Sequence, residues 1–375
     1  MRDECARAFT KDAIKKKNMT ALYEYRRELV RRPRLVYLFF ELTDACNMAC
    51  LHCGSCASPE NKRYLDYSAV DKVMTEVASA YDPSTIMICL TGGEPMLHPD
   101  FYKIARRATE LGFRCGITSN ATLVEPEAAK KIKDSGICSV SVSLDGLEKT
   151  HNWFRSCEGA YERAVSGIKN LVAVIDDSFS VQITTVVHKK NLEELDSLYE
   201  LLCSLGVDSW RLTNTDPIGR AAEHNDLLID GGEAVRLLDF IRKKRFEASN
   251  ALHVTYGCAH YTGIEYENEI RDHYFLCLSG LSVASVLCNG DIYSCLDIER
   301  RRELVQGSVF TDSFVSVWEN GFAQFRRDRS EDCEDCRRCD DRSFCLGDSA
   351  HTWDYDNNMP KLCLKKLISE RKSIK

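Results

Sequence analysis

From residue 36 to about residue 248, short runs of apolar and β-branched residues alternate with longer stretches whose apolar positions recur every three or four residues. This is the pattern of parallel strands joined by crossover helices. Six strand-helix pairs are legible, with strands predicted at 36–42, 86–90, 114–118, 139–144, 181–187 and 208–213. After the first strand, Val70, Val73, Met74 and Val77 share one helical face, and Ser68 with Asp71 reads as a capping-box-like start. A second helix is expected from about Asp100 to Gly112, a residue suited to the left-handed conformation at a helix end. Asn191 is placed as the N-cap of a helix over 192–205. From about Tyr256 the rhythm changes to short, cysteine-punctuated segments with turns, the mark of a unit held by metal more than by a core. The expected organisation is a helical extension over 1–34, an α/β unit over 35–250, and a cysteine-rich unit over 251–375 that ends in a helix.

At 375 residues with 44% hydrophobic positions, the chain is long enough for one large domain and a smaller one. No apolar run reaches the roughly 18 residues of a membrane span, and the N-terminus has no signal-peptide core, so a cytoplasmic protein without a membrane partner is expected. Nineteen cysteines in such a chain read as metal ligands and free thiols before disulfides. A net charge of -7 gives no reason to expect nucleic acid, and the basic groups at 15–17 and 26–34 read as a solvated helix face.

The chemistry concentrates in Cys46, Cys50 and Cys53, spaced CxxxCxxC after the first predicted strand. Three thiolates can hold three irons of a four-iron cluster and leave the fourth open, whereas structural zinc or a closed electron-transfer cluster wants four protein ligands. Thr91-Gly92-Gly93-Glu94-Pro95 follows the second strand, Ser119-Asn120 the third and Asp145-Gly146 the fourth. All therefore fall at the carboxyl ends of parallel strands, where α/β proteins bind ligands. Gly92 and Gly93 let a ligand's amino group approach the backbone, and Glu94 adds a negative charge beside it.

Together these motifs resemble the radical S-adenosylmethionine (SAM) superfamily. The resemblance implies a partial (β/α)6 barrel, and a [4Fe-4S] cluster whose open iron is chelated by the amino and carboxylate groups of SAM. It further implies reductive cleavage of SAM to a 5'-deoxyadenosyl radical, fed by an electron donor such as flavodoxin or ferredoxin. It assigns Thr91, Gly92, Gly93 and Glu94 to the methionine moiety, His52 to the neighbourhood of the adenine, and Ser143 and Arg155 to the ribose and carboxylate. Ser143 also reads as an inner-face strand residue, and His52 as a half-exposed loop histidine. Cys56 is left as a free thiol.

Cys277, twelve residues, Gly290, four residues and Cys295, followed by Cys333, Cys336, Cys339, Cys345 and Cys363, resemble the SPASM extension of the same superfamily. One or two auxiliary [4Fe-4S] clusters follow from that resemblance. The second maps onto Cys336, Cys339, Cys345 and Cys363. The first keeps Cys277 and Cys295, but Ser349 stands where the family has a cysteine. Cys288 and Cys333 are the nearest thiols to complete it, and a cluster with an open or non-cysteine position is the alternative. A zinc module is the competing reading of the whole set.

The family's best-known members modify peptides or proteins, so the leading expectation is hydrogen abstraction from such a substrate. The products would be thioether or carbon-carbon crosslinks, oxidation or epimerisation, with or without a separate leader-binding protein. Sulfatase maturation ranks lower, because Leu296 takes the position of that group's general-base aspartate and Asp297 is displaced by one, which in an extended segment turns it to the opposite face. Modification of a small molecule in tetrapyrrole or quinone cofactor biosynthesis is the second enzyme reading, and a non-catalytic iron-sulfur carrier or sensor the third. Residues 347–354, polar and aromatic, either face substrate or pack around a metal site.

Overall fold

The computed structural model describes residues 2–247, 252–257 and 260–372. Strands β1 (Tyr37–Glu41), β2 (Met87–Thr91), β3 (Arg114–Ser119), β4 (Ile137–Ser143), β5 (Ser180–Val187) and β6 (Ser209–Asn214) each lie within two residues of the predicted spans. They pair in parallel and in sequence order. A long N-terminal helix, α1 (Arg2–Arg31), precedes them. The connections are α2 (Tyr67–Ala80), α3 (Phe101–Glu110), α4 (Pro126–Asp134), the pair α5 (Glu148–Arg155) and α6 (Ala160–Val172), and α7 (Leu195–Leu205). Helix α8 (Gly231–Phe246) follows β6.

Four further strands extend the sheet. β7 (His253–Tyr256) joins β6 in parallel, and β8 (Val283–Val286) joins the free edge of β1, also in parallel. β9 (Asp291–Tyr293) and β10 (Gly307–Ser308) continue antiparallel, so the order runs β10-β9-β8-β1 through β7 and the sheet is an open, partial barrel. The cysteine-rich region is thus not held by metal alone, because it contributes strands to the barrel sheet. The boundary expected at 250/251 falls within 248–251, outside the described residues.

Side-chain alternation gives the sheet two unlike faces. Leu38, Ile88, Cys115, Val140, Ile183 and Trp210 point under the helices and are wholly buried. The opposite face carries Cys89, Thr118, Ser141, Thr184, Arg211 and Thr213, none of them apolar aliphatic. Arg211 is held there by Thr184 Oγ1 at 3.0 Å. A parallel sheet covered on both faces reads as a continuous apolar run, and this one does not. That face is only partly covered: Cys89, Ser141, Thr184, Arg211 and Thr213 are half-buried and Thr118 is exposed.

Several local expectations are corrected by packing. Helix α2 starts after Asp66 with no side-chain cap, and Asp71 instead pairs with Arg107 of α3 at 2.6 Å. Asn191 does stand at the N-cap position of a 3-10 turn, Leu192–Glu194, that runs into α7, but its side chain makes no capping bond; it is buried and donates to the carbonyls of Asp145 and Val186 at 2.9 Å each, tying the ends of β4 and β5. Gly112 does take a left-handed φ of 90° just past α3. Two of the basic residues read as solvated are buried: Lys15 donates to Glu265 O at 2.7 Å and pairs with Glu269 at 2.9 Å, and Arg26 donates to Arg327 O at 2.9 Å. These cations fasten α1 to the C-terminal region.

Candidate active site and cysteine clusters

The loop after β1 carries Cys46, Cys50 and Cys53, which pack together with Met48, Ala57 and Ala160. Backbone bonds fix it from three sides. Gly93 N donates to Thr43 O at 2.7 Å, Glu94 N to Ala45 O at 2.9 Å, and Leu51 N to Phe154 O at 2.9 Å. The glycine requirement becomes legible here, because a Cβ on Gly93 would lie 2.3 Å from Ala45 O. The Gly-Gly pair is therefore also a seat for the cysteine loop, a reason that sequence reasoning had not supplied.

Arg220, in the segment after β6, is a site residue that sequence reasoning missed. Its Nε donates to Cys50 O at 2.7 Å, Nη2 to Ala57 O at 3.0 Å, and its backbone N–H to Cys53 O at 3.1 Å. A Gly-Arg pair following a strand end is the only sequence signal for it.

Burial pushes the Cys46 thiol up to about 12, with Cys50 beside it adding to the effect. Cys50 is raised by burial and opposed by Arg155, whose Nη1 lies 3.7 Å from its sulfur. Forming the thiolates thus requires compensating positive charge, and Arg155 supplies one. Arg155 is buried, with Nε donating to Asp145 Oδ2 at 2.6 Å, and Asp145 and Cys50 together outweigh burial to keep it charged. Its guanidinium reaches the cluster loop from within an ion pair.

Glu94 is wholly buried, and its oxygens accept from Ser119 Oγ at 2.9 Å, Asn120 N at 2.8 Å and Met96 N at 3.2 Å. Burial pushes its carboxyl up to about 7 against those donors. It joins the ends of β2 and β3. Thr91 ends β2 and donates to Phe40 O at 3.2 Å, and Ser143 ends β4 on the polar face of the sheet. His52 stacks on Phe154 with ring centroids 4.2 Å apart at 7°, and Phe154 in turn packs on His188 at 4.2 Å. His52 Nδ1 and His188 Nε2 are buried without partners, and burial holds both rings neutral. Cys56 is an exposed free thiol.

The C-terminal cysteines form two groups. Cys336, Cys339, Cys345 and Cys363 are mutual electrostatic neighbours, and Lys365 Nζ donates to Cys339 Sγ at 3.2 Å. Cys277 and Cys295 both face Tyr355, and Ser279 Oγ donates to Ser294 Oγ at 2.8 Å, which holds the two segments together.

Two expected ligands of the first group are placed elsewhere. Cys288 lies in the β8–β9 turn, whereas Cys295 follows the far end of β9, and the neighbours of Cys288 are Glu41, Asp44 and Arg63. The Cys288 N–H donates to Glu41 Oε2 at 3.2 Å, and Glu41 and Asp44 add to burial in pushing its thiol up to about 12. Cys333 stands beside Cys336, whose N–H donates to its sulfur at 3.3 Å.

No disulfide joins any of the described cysteines, and among the described residues no three Cys, His, Asp or Glu side chains converge on a single-ion site. A four-iron cluster asks for sulfurs set farther apart, one to each iron, and the loop spacing and its charge-balancing arginine fit it.

A second buried assembly, also missed, joins the end of β6 to the C-terminal region. His260 Nε2 lies 2.7 Å from Asp216 Oδ1 and its Nδ1 2.7 Å from Asp348 Oδ2, while His351 Nε2 lies 3.2 Å from Asp216 Oδ2. Burial disfavours the charge, but the two carboxylates outweigh it and push His260 up to about 10. The 347–354 segment therefore packs inward through Asp348 and His351. Leu296 and Asp297 sit in a turn and not an extended stretch; Leu296 packs against the core and Asp297 is exposed.

Residues 40–202 match the radical SAM superfamily, and residues 277–340 match the SPASM iron-sulfur cluster-binding domain. An AdoMet-dependent heme synthase of Methanosarcina barkeri is 31% identical over 87% of this chain and 93% of its own length. Mycofactocin maturase MftC of Mycolicibacterium smegmatis is 27% identical over 83% of this chain and 77% of its own. Streptococcus suis SuiB bound to S-adenosylmethionine superposes with a TM-score of 0.69 at 17% identity, over 84% of this chain and 73% of that one.

Proposed function

This chain belongs to the radical SAM superfamily and is an enzyme of its SPASM branch, and from that premise we propose that its substrate is a carboxylate-bearing small molecule of the tetrapyrrole kind. The cofactors are S-adenosylmethionine, a [4Fe-4S] cluster and auxiliary iron-sulfur clusters. When bound, they supply a carbon radical able to take hydrogen from an unactivated C–H bond. The chain's own part is to hold, aim and shield. Cys46, Cys50 and Cys53 offer the three thiolates, Arg155 balances their charge, and the Glu94 network fixes the rim on which SAM would rest.

The observation that carries the substrate reading is a cavity of about 800 Å³ at the end of β1. Glu41, Asp291 and Tyr293 bring it to the polar face of the sheet, and Asp44, Ser55 and Arg63 bring it to the cysteine loop. Arg63, Arg300, Arg301 and Arg302 line it beside the acidic Glu41, Asp44 and Asp291, with Arg301 bound to Glu303 and Asp356. Arg300 Nη2 pairs with Glu41 at 2.9 Å while its Nη1 is buried with no partner. Planar guanidinium donors suit carboxylates, and a macrocycle with carboxylate side chains presents several. The likeness to a heme synthase over nearly its whole length supports the same reading.

Modification of a peptide or protein, the expectation ranked first from sequence, is the second reading, supported by the likeness to a maturase. The test is anaerobic incubation of reconstituted enzyme with SAM and dithionite, or with flavodoxin or ferredoxin as donor. A carboxylated tetrapyrrole should shift its absorbance on binding and change mass in step with 5'-deoxyadenosine release, and Arg300→Leu should weaken binding at least tenfold. A tetrapyrrole that neither binds nor reacts, beside a peptide that does, would overturn the reading.

A further inference from the structure

The first auxiliary site is two thiols short, because Cys288 has Glu41, Asp44 and Arg63 as its neighbours and Cys333 stands beside Cys336. One side chain in the neighbourhood has no assignment. Ser349 is 1% exposed, and its Oγ is buried without a hydrogen-bond partner. Its own carbonyl accepts from Thr352 Oγ1 at 3.3 Å, and the next residue, Ala350, donates its N–H to Cys277 Sγ at 3.4 Å. Ser349 therefore sits one residue from a backbone bond to a sulfur of this group. A buried hydroxyl with nothing to bond is disfavoured, and native folds rarely leave one so. The other nearby oxygen is already committed, because Tyr355 Oη donates to Ala350 O at 2.9 Å.

We infer that Ser349 Oγ is the third protein ligand of the first auxiliary cluster, beside Cys277 and Cys295. Its position, four beyond Cys345 with three residues between, puts an oxygen where the resemblance leads one to expect a sulfur. Coordination forms one iron–oxygen bond and sends the hydroxyl proton to solvent, with no change in oxidation state. An alkoxide is a harder ligand than a thiolate and favours ferric iron, so it holds the cluster at a lower reduction potential than a third cysteine would. The assignment rests on membership of the family and not on the choice of substrate.

The experiment uses the full chain, reconstituted anaerobically, as parent, Ser349→Ala and Ser349→Cys. Iron and sulfide are counted, Mössbauer and low-temperature EPR spectra recorded, and potentials measured by dye-mediated titration. Ser349→Ala should lose the iron of one cluster or convert its signal, with the iron held by Cys46, Cys50 and Cys53 retained. Ser349→Cys should keep the parent iron count and move one potential upward. Parent-like iron content and spectra in Ser349→Ala would overturn the inference. Should that variant fail to fold, an unshifted potential in Ser349→Cys overturns it instead.

Discussion

His260→Gln tests the buried assembly that joins the barrel rim to the C-terminal region. His260 is flanked by Asp216 and Asp348 at 2.7 Å on either side, and its pKa stands at about 10 against an ordinary 6.5. A raised pKa in a histidine means that the folded state binds the proton more tightly. The stabilisation is fully present below about pH 6.5 and is lost as pH rises through about 10. At about 1.4 kcal/mol per pH unit, it amounts to roughly 4 kcal/mol at pH 7 and roughly 1 kcal/mol at pH 9. That agrees with the 3–5 kcal/mol expected when one partner of a buried ion pair is removed. Urea unfolding of the two reconstituted proteins under anaerobic conditions, followed by tryptophan fluorescence from pH 6.5 to 9.5, measures the gap directly. The gap should narrow by about 3 kcal/mol over that range. A gap independent of pH would show His260 to be neutral in the fold and refute the reasoning.

Changing Cys46, Cys50 and Cys53 together to Ala should abolish SAM cleavage while iron remains elsewhere in the chain; undiminished 5'-deoxyadenosine would count against the loop as the cluster site. Glu94→Gln keeps the shape but turns a donor toward Ser119 or Asn120, so SAM affinity should fall without loss of cluster iron. In the parent the raised Glu94 pKa makes folding less favourable as pH rises from about 4.5 through about 7, and the variant should lack that slope in a melting series. Arg155→Met leaves Asp145 buried and uncompensated and should cost about 3–5 kcal/mol in urea unfolding. Adding Asp145→Leu should recover most of that loss, and simple additivity in the double variant would contradict the buried pair.

Sequence alone determined the six parallel strands, because each apolar run buries one face under a helix and its length is set by the sheet. It determined the cysteine loop and the Gly-Gly-Glu turn as well, since a strand end followed by ligand-type residues is a local pattern. It also flagged Ser349 as a departure. What sequence did not reach are pairings between residues far apart in the chain. Cys288 looked available by spacing, and only the fold set it in the β8–β9 turn among Glu41, Asp44 and Arg63. Lys15 and Arg26 looked like solvated charges until α1 packed on residues 264–269 and 326–327. Asp216, His260 and Asp348 carry no shared motif, for they are separated by 44 and 88 positions and meet only when β6 and the C-terminal region are brought together. Local periodicity encodes which face of an element is buried. Which distant charge or thiol it meets there is decided by packing, where removing water makes an unpaired group too costly to leave alone.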